Sequence, residues 1–522
     1  MWIEGFRAFS EPIELELKPV TIVTGRNNCG KSSLLEAIAV ASSALNGFRD
    51  ALERNVVEEI ARFKGVPLRY LINAKRDGAR IELSNIASVE LVRDLERAPH
   101  AVNVLREVYA STLTSISREA ARGIESKRFT EAATVLGIPA ALCGSLNQET
   151  LALLLRVLLN ILIALRRLVE KHYVDANSVA HELCTSLPIE ISRIEDCTAR
   201  VRGIISVLLD NLHEVAKSIT GAFREVTEIA VTVSFKGWSC GMLYTLYDAR
   251  THLLNTVLNT ACTAIPRLRR LVIELASASG VSRVASRIKT LDLTGELEEL
   301  FRSFLRKVVV ESVLEAVHEA RKVFEKCVTS AKDARAGEGV STVFAMHRAS
   351  WSLDELSELI DRVYRTGKMK SLRELLNAIG IEDLWRDRSG QLYASIDGEP
   401  LPLNTLGDGA LNLIRLAAIH SLVDCGYVVV EEPETAMHPG YLALYAKLVL
   451  DHASKGGVTI VVSTHSHELI DYVLEHARRR CALNHVGVVH LYRSAEGIEA
   501  SVYSGEEALE RREAIHEDLR GI

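Results

Sequence analysis

The sequence predicts an α/β fold, a mixed β-sheet with flanking helices, split in the middle by a large and mainly helical insertion. Three observations predict it. An alternating and then apolar stretch, "IELELKPVTIVTG" (13–25), runs straight into "GRNNCGKSSLLEAIAVASSAL", as a buried strand feeding a loop and a helix does. Near the other end, "VVVEEPETAMHP" (428–439) and "VTIVVST" (458–464) are β-branched runs that stop at polar residues, the pattern of strands buried on both faces. Between the two ends the apolar residues fall at helical spacing.

Composition bounds the rest. With 522 residues, 48% hydrophobic and 25% charged, the chain can bury a large core and is long enough for two or three domains. A net charge of −6 gives no global basic field for nucleic acid, though a sum does not exclude a local basic surface. The longest apolar run, "LALLLRVLLNILIALRRL" from 151, contains Arg156 and Asn160; it is too short and too polar to span a bilayer and is expected to be a buried or amphipathic helix. With no charged-then-apolar leader before Trp2, a cytoplasmic protein without a membrane partner is expected. The nine cysteines form no C-x-x-C pair, so a zinc site has no support and free thiols are expected. Only Gln148 and Gln391 represent glutamine, a scarcity that thermophiles share, and in those organisms a few intracellular disulfides are allowed.

The first element carries chemistry. Gly25, Gly30, Lys31 and Ser32 match G-x-x-x-x-G-K-[ST]. Glycines let backbone N–H groups curl around a β-phosphate, the lysine reaches the β- and γ-phosphates, and the Ser32 hydroxyl ligates Mg²⁺. Asn27 and Asn28 in the loop and Ser33 after it complete the candidate nucleotide contacts. Leu34, Leu35, Ile38 and Ala41 then recur at helical spacing, so the strand, loop and helix that the motif needs are all present, and the helix aims its positive end at the same anion.

A P-loop that hydrolyses ATP needs acids for the metal and for water. Glu431 is the candidate metal residue, acting through a water, and Glu432 the candidate base that deprotonates the attacking water. Alternation at a strand end points the two in opposite directions, hence separate roles. Glu434, past Pro433, is expected to matter least.

Four segments together resemble a known group: "GFRAFSEPIELELKPVTIVTGRNNCGKSSLLEAIAV", "PLNTLGDGALNLIRLAAI" (402–419), the acidic stretch, and "TIVVSTHSHELID" (459–471). They resemble the ABC-class P-loop ATPases of the SMC, RecF and overcoming-lysogenization-defect type, with an AAA-type core. The resemblance covers roughly 1–90 and 340–522 and implies an ABC-type head. It implies that Gly407, Asp408 and Gly409 form the signature loop that contacts ATP held by a second protomer, with Gly407 where the family has serine. It also implies that His465 is the switch histidine sensing the γ-phosphate, and that His438 stands where related heads carry the aspartate of the loop crossing the dimer interface. Glu431 departs from the usual aspartate. Neither glutamine lies where the family's Mg²⁺-sensing glutamine would, which leaves that role absent or near "VFAMHRAS" (343–350). A nuclease domain like that of the overcoming-lysogenization-defect proteins is not expected after the switch histidine.

The three expected parts are 1–90, the first part of the ATPase lobe; 91–340, the insertion; and 341–522, the second part of the lobe. "VPLRYLINAKRDGARIELSNI" (66–86) is expected to be a hairpin turning at Asp77 and Gly78. In the insertion, Ile194, Cys197, Val201, Ile205, Leu208, Leu212, Val215 and Ile219 step by three or four. A second helix over 295–327 is a candidate antiparallel partner, although Gly and Pro punctuation favours a compact helical body with at most a short coiled coil. "VTEIAVTVSF" (226–235) alternates like a strand. The arginine clusters at 266–271 and 475–482 are expected to be solvated helix faces.

The resemblance implies a homodimer formed on ATP binding, with DNA or a separate nuclease as partner, in DNA repair, genome maintenance or defence against phage. The alternatives are a non-hydrolysing ATP switch and, disfavoured by the insertion, a transporter's nucleotide-binding subunit.

Overall fold

A computed structural model describes residues 1–84, 86–170, 174–187, 189, 191–235, 237–245, 253, 259–278, 293–333, 340–346, 353–378, 380–388, 390–514 and 518–520. The chain divides into two compact units, one of 1–93, 231–240 and 324–522, the other of 94–230 and 241–323.

The first unit is built on a six-stranded sheet ordered Ile498–Ser504, Val486–Arg493, Val20–Gly25, Val458–Ser463, Gly426–Glu431 and Ser341–Ala345. All neighbours are parallel except the outer pair 486–493 and 498–504. Every residue of Val20–Gly25 is buried, because helices cover both faces of a parallel sheet and leave no side for polar residues. The helix Lys31–Ser43 follows and is buried on all sides apart from Ser32. It lies between this sheet and a second, antiparallel one containing Ile13–Glu14, Trp2–Glu4, Gly78–Leu83 and Ala87–Val92, which explains why its sequence is apolar and small around the whole circumference rather than striped. A three-stranded sheet, Asp383–Arg386, Leu392–Ile396 and Glu399–Pro402, precedes the helix Asp408–Ser421.

The expected hairpin exists with a different turn. Its strands are Gly78–Leu83 and Ala87–Val92, so the chain reverses between Leu83 and Ala87 rather than at Asp77 and Gly78, and Gly78 opens the first strand opposite Val92. Residues 68–71 form a 3₁₀ turn instead of a strand. The reason is tertiary: Asn73 is tied through its amide N–H to the Gly5 carbonyl and through Nδ2 to the Arg7 carbonyl, and Arg93 collects the carbonyls of Ile72, Asn73 and Arg76.

The first unit also takes in residues that the sequence reading gives to the insertion, Val231–Cys240 and 324–340. Phe324, 2% exposed, stacks on Phe48 with ring centroids 5.9 Å apart, and Cys327 is disulfide-bonded to Cys240. Excising 91–340 outright is therefore expected to give a poorly packed product, whereas the point variant Phe324→Ala should lower unfolding free energy by about 3–5 kcal/mol, read from denaturant curves. A second disulfide joins Cys184 to Cys197 in the other unit. The expectation of free thiols holds for Cys29, Cys143, Cys262, Cys425 and Cys481, and fails for the four bridged ones.

The second unit is mainly helical. Helix Ile194–Val226 buries the expected seam except at its half-buried first member Ile194, with Cys197, Val201, Ile205, Leu208, Leu212, Val215 and Ile219 all within 3% exposure. Its main partners are helices Ala176–Thr185, Ile265–Ala278 and Gln148–Val169, not the helices over 293–333, so the seam closes a compact bundle rather than a two-helix arm. The apolar run from 151 is the amphipathic helix Gln148–Val169, in which Asn160 returns its side-chain N–H to the Arg156 carbonyl. Among the described residues no helix is long and apolar enough to cross a membrane. The stretch near 226 forms strands Thr227–Phe235 and Trp238–Thr245. Arg478 and Arg479 pair with Glu475, and Arg480 pairs with Asp451, which is the solvated-face behaviour expected of that cluster.

A buried polar relay joins two helices of the first unit. His452 Nε2 lies 2.9 Å from the Val423 carbonyl, His420 Nδ1 lies 3.0 Å from His452 Nδ1, and His420 Nε2 lies 3.4 Å from the Tyr445 hydroxyl. A carbonyl only accepts, so His452 carries its proton on Nε2, His420 donates from Nδ1, and Tyr445 donates to His420. Every position is filled with both rings neutral. Burial pushes both histidines below their ordinary value, His420 furthest, so the unfolded chain binds protons more readily. The relay's contribution is full above the ordinary histidine value near 6.5 and declines as pH falls below it. Melting temperature should drop between about pH 7 and 5, and a His420→Leu/His452→Leu double variant should flatten that part of the profile.

Candidate functional site: a P-loop facing three carboxylates

The P-loop leaves the end of Val20–Gly25. Gly25 has φ +137°, and a Cβ there would sit 2.2 Å from the Leu491 carbonyl oxygen. Gly30 has φ +96° and serves as the helix N-cap, with no side chain capping the first turn. The first-turn amides are thus presented to an anion, as a phosphate cradle requires. Lys31 is buried, and its Nζ donates to the carbonyls of Gly25 at 2.9 Å and Arg26 at 3.1 Å. Burial pulls this ammonium down from its usual value; Cys29, Glu432, Glu431 and Glu434 act in the opposite direction. Asn28 adopts a left-handed backbone, φ +62°, and its carbonyl accepts from Arg493 at 3.3 Å.

Glu431 ends the strand Gly426–Glu431, is 5% exposed, and lies in register with Ser463 of the neighbouring strand. The Ser463 hydroxyl is itself buried without a hydrogen-bond partner. A carboxylate, an unsatisfied hydroxyl and the half-buried Ser32 after the P-loop lysine suit a Mg²⁺ held mostly by phosphate and water oxygens. Among the described residues no group of three or more His, Cys, Asp or Glu forms a dedicated metal cage.

Glu432 departs from the expected strand alternation. Its φ is +45°, so the chain has already left the β-region and a turn sets its direction, held by its amide N–H on the Ser463 carbonyl at 3.0 Å. A non-glycine residue there is strained, which is common at functional turns. The carboxylate is thereby brought to 3.5 Å from His465 Nε2. Burial is the main force lowering the His465 imidazole, with Lys31 next and Glu432 opposing.

Glu434, expected to matter least, has a structural role. Its Oε1 accepts the His465 amide N–H at 2.6 Å. Burial raises its carboxyl while that hydrogen bond works to lower it. Glu36, on the P-loop helix, is 1% exposed beside Arg7 at 2.9 Å, and burial lifts its carboxyl to about 7.

The residues expected to form the signature loop stand at the start of a helix. Gly407 caps Asp408–Ser421, and Gly407 and Asp408 are exposed. A Cβ on Gly409 would meet the Ala436 carbonyl at 2.9 Å, and Asn412 Nδ2 donates to the carbonyls of Pro433 and Thr435 at 3.0 and 3.1 Å. This helix is therefore locked to the turn that carries the glutamates. His438 is exposed and caps Pro439–Ala453, its Nδ1 accepting the Gly440 N–H at 3.2 Å. Gln391 donates to Asn404 at 3.3 Å beside the small sheet, and residues 347–350 of "VFAMHRAS" lie outside the described residues. The structure thus gathers Lys31, Glu431, Glu432, Glu434 and His465, and places Gly407, Asp408 and His438 on the surface. Sequence reasoning missed Glu434 and Asn412, whose roles are contacts across 31 and 21 residues that no local pattern encodes.

Family models match both ends of the chain. Residues 1–76 match the family described as "AAA ATPase domain", and residues 350–471 the family described as "AAA domain, putative AbiEii toxin, Type IV TA system". An uncharacterised protein of Methanocaldococcus jannaschii is 29% identical over 116 residues, 22% of this chain and all of that one. The tRNA modification GTPase MnmE of Bacillus thuringiensis is 31% identical over 123 residues, 23% of this chain and 26% of the relative. Solved structures that resemble it include an Smc head bound to the C-winged helix domain of ScpA, with 10% identity, TM-score 0.34 and coverage of 97% and 98%. Another is the Pyrococcus furiosus Smc head with an extended coiled coil, at 11% identity, TM-score 0.33 and coverage of 99% and 98%. The two matched segments contain the P-loop and the acidic strand end, so the chain carries AAA-type ATPase domain sequence at both ends, joined in one parallel sheet through the strand Val458–Ser463.

Proposed function

We propose that the protein binds and hydrolyses ATP to ADP and phosphate, and that two heads dimerise around two ATP molecules. The observation that carries this reading is the meeting of neighbouring strand ends, where a buried lysine at an uncapped helix N-terminus, the strand-end Glu431, and Glu432 and Glu434 on either side of His465 share one edge of the sheet. Lys31 and the first-turn amides bind the β- and γ-phosphates. Glu432 takes the proton from the attacking water, whose oxygen bonds to the γ-phosphorus as the bond to ADP breaks. His465 orients Glu432 and the γ-phosphate. Ser32 and Glu431 would hold Mg²⁺, which supplies charge neutralisation on the phosphates. Since Gly407, Asp408 and His438 are exposed, they suit contact with ATP on a second protomer.

Release of the heads after hydrolysis would couple to movement in the helical unit, in the service of DNA repair, genome maintenance or defence against phage with a separate effector. Phosphate release with and without Mg²⁺, together with light scattering in ATP, tests the core of the proposal. No Mg²⁺-dependent turnover alongside tight ATP binding would favour a non-hydrolysing switch. Turnover unaffected by DNA, with no nuclease recovered from the native cell, would remove the wider role.

A further inference from the structure

The segment Asp518–Arg520 reaches the same site from the far end of the sequence. The Leu519 side chain is 2% exposed, and its carbonyl accepts from the Thr24 hydroxyl at 2.6 Å and meets His490 Nδ1 at 3.0 Å. Thr24 is the residue before Gly25, so the segment is fastened to the strand that launches the P-loop. On one side of that anchor, Asp518 receives Arg520 Nε and Nη2, both at 3.0 Å, and stands 3.0 Å from His467 Nε2. On the other, Arg520 Nη1 donates to the His465 carbonyl at 3.3 Å. The amide on the opposite side of His465 is held by Glu434. The histidine's backbone is thus pinned at both its N–H and its C=O.

From this arrangement we infer that Asp518–Leu519–Arg520 is a strap that positions the switch histidine, with Arg520 as a positioning residue for hydrolysis. The inference rests on the ATPase reading above. A rigid His465 backbone is what keeps the imidazole within reach of Glu432, because His465 sits on a loop between Ser463 and the helix from His467 and has no strand pairing of its own. The fork of an arginine suits this role, because one guanidinium face is fixed by Asp518 while the remaining nitrogen reaches the carbonyl. The charged groups around His465 are Lys31, Glu432, Glu434 and Arg520, with Asp518, His467 and Glu468 behind them.

Arg520→Ala should lower kcat roughly ten- to a hundredfold, as small misplacements of a catalytic group do, with KM for ATP unchanged within about twofold, since no phosphate contact is lost. Arg520→Lys should recover part of kcat, because an ammonium can keep one bond but not the fork. In the same variants, amide hydrogen exchange should speed up at 463–467 and stay unchanged at 25–31. Unaltered kcat and unaltered exchange would overturn the strap. So would a joint fall of kcat, ATP affinity and melting temperature in which lysine is no better than alanine, for that is a fold defect. If the wild type hydrolyses no ATP, the functional reading fails by itself, and the exchange comparison still decides whether Arg520 holds the His465 loop.

Discussion

Lys31→Ala is expected to abolish ATP binding at micromolar nucleotide. The Lys31 ammonium is the buried charge at the helix N-terminus, held by two carbonyls of the loop it serves. A phosphate presents the same bonding positions with full negative charge. Losing two charged hydrogen bonds at about 1.5–3 kcal/mol each corresponds to roughly 10²–10⁴ in affinity. The fold should survive, because the surrounding helix is fastened by apolar contacts to two sheets, and alanine is the best helix former. Calorimetric titration on a variant with unchanged melting temperature reads the effect, and near-normal affinity would show that the loop is not the nucleotide site. Lys31→Arg should not rescue, since a planar guanidinium does not fit where a compact ammonium lies against two carbonyls.

What could be read from sequence divides along a physical line. The P-loop, the acidic strand end and the strand leading to His465 are legible because each is a local motif in which consecutive residues supply backbone geometry, burial and charge together. Val20–Gly25, Gly426–Glu431 and Val458–Ser463 are buried parallel strands, and that burial writes itself into the sequence as β-branched runs. The misplaced hairpin turn shows the limit. Asp77 and Gly78 satisfy a turn rule, but the carbonyls gathered by Arg93 and the hold of Asn73 on Gly5 and Arg7 decide where the chain reverses. The apolar seam on Ile194–Val226 was read correctly as buried, while its partners were not, because periodicity reports that a face is covered and not by what. Cys240 and Cys327 are separated by 87 residues, and Arg520 meets His465 across 55. Contacts of this length leave no periodic trace. Glu432 falls between the two cases: its identity was legible, and its direction was not, because the strand ends one residue earlier than alternation assumes.

That direction determines the outcome of changing each glutamate. Glu432→Gln keeps size and one accepting oxygen but cannot take a proton, so turnover should fall by about 10²–10⁴, the usual worth of a general base. ATP should still bind, since the amides and Lys31 are untouched. If hydrolysis is what opens the paired heads, this variant should accumulate as an ATP-bound dimer, visible by size-exclusion chromatography with light scattering. Glu431→Gln should act on the metal instead, raising the Mg²⁺ concentration needed for both productive binding and turnover, because its side chain is buried at the strand end in register with Ser463. Glu434 separates chemistry from positioning. Its Oε1 accepts the His465 N–H at 2.6 Å, and a glutamine carbonyl oxygen accepts equally, so Glu434→Gln should be tolerated. Glu434→Ala removes the acceptor, leaves a part-buried donor unsatisfied, and should lower kcat with little change in ATP affinity. A larger loss from Glu434→Gln than from Glu432→Gln would move the base two residues along and invalidate the assignment. If the wild type hydrolyses ATP and none of these glutamine substitutions alters its rate, the three carboxylates serve only as an acidic turn.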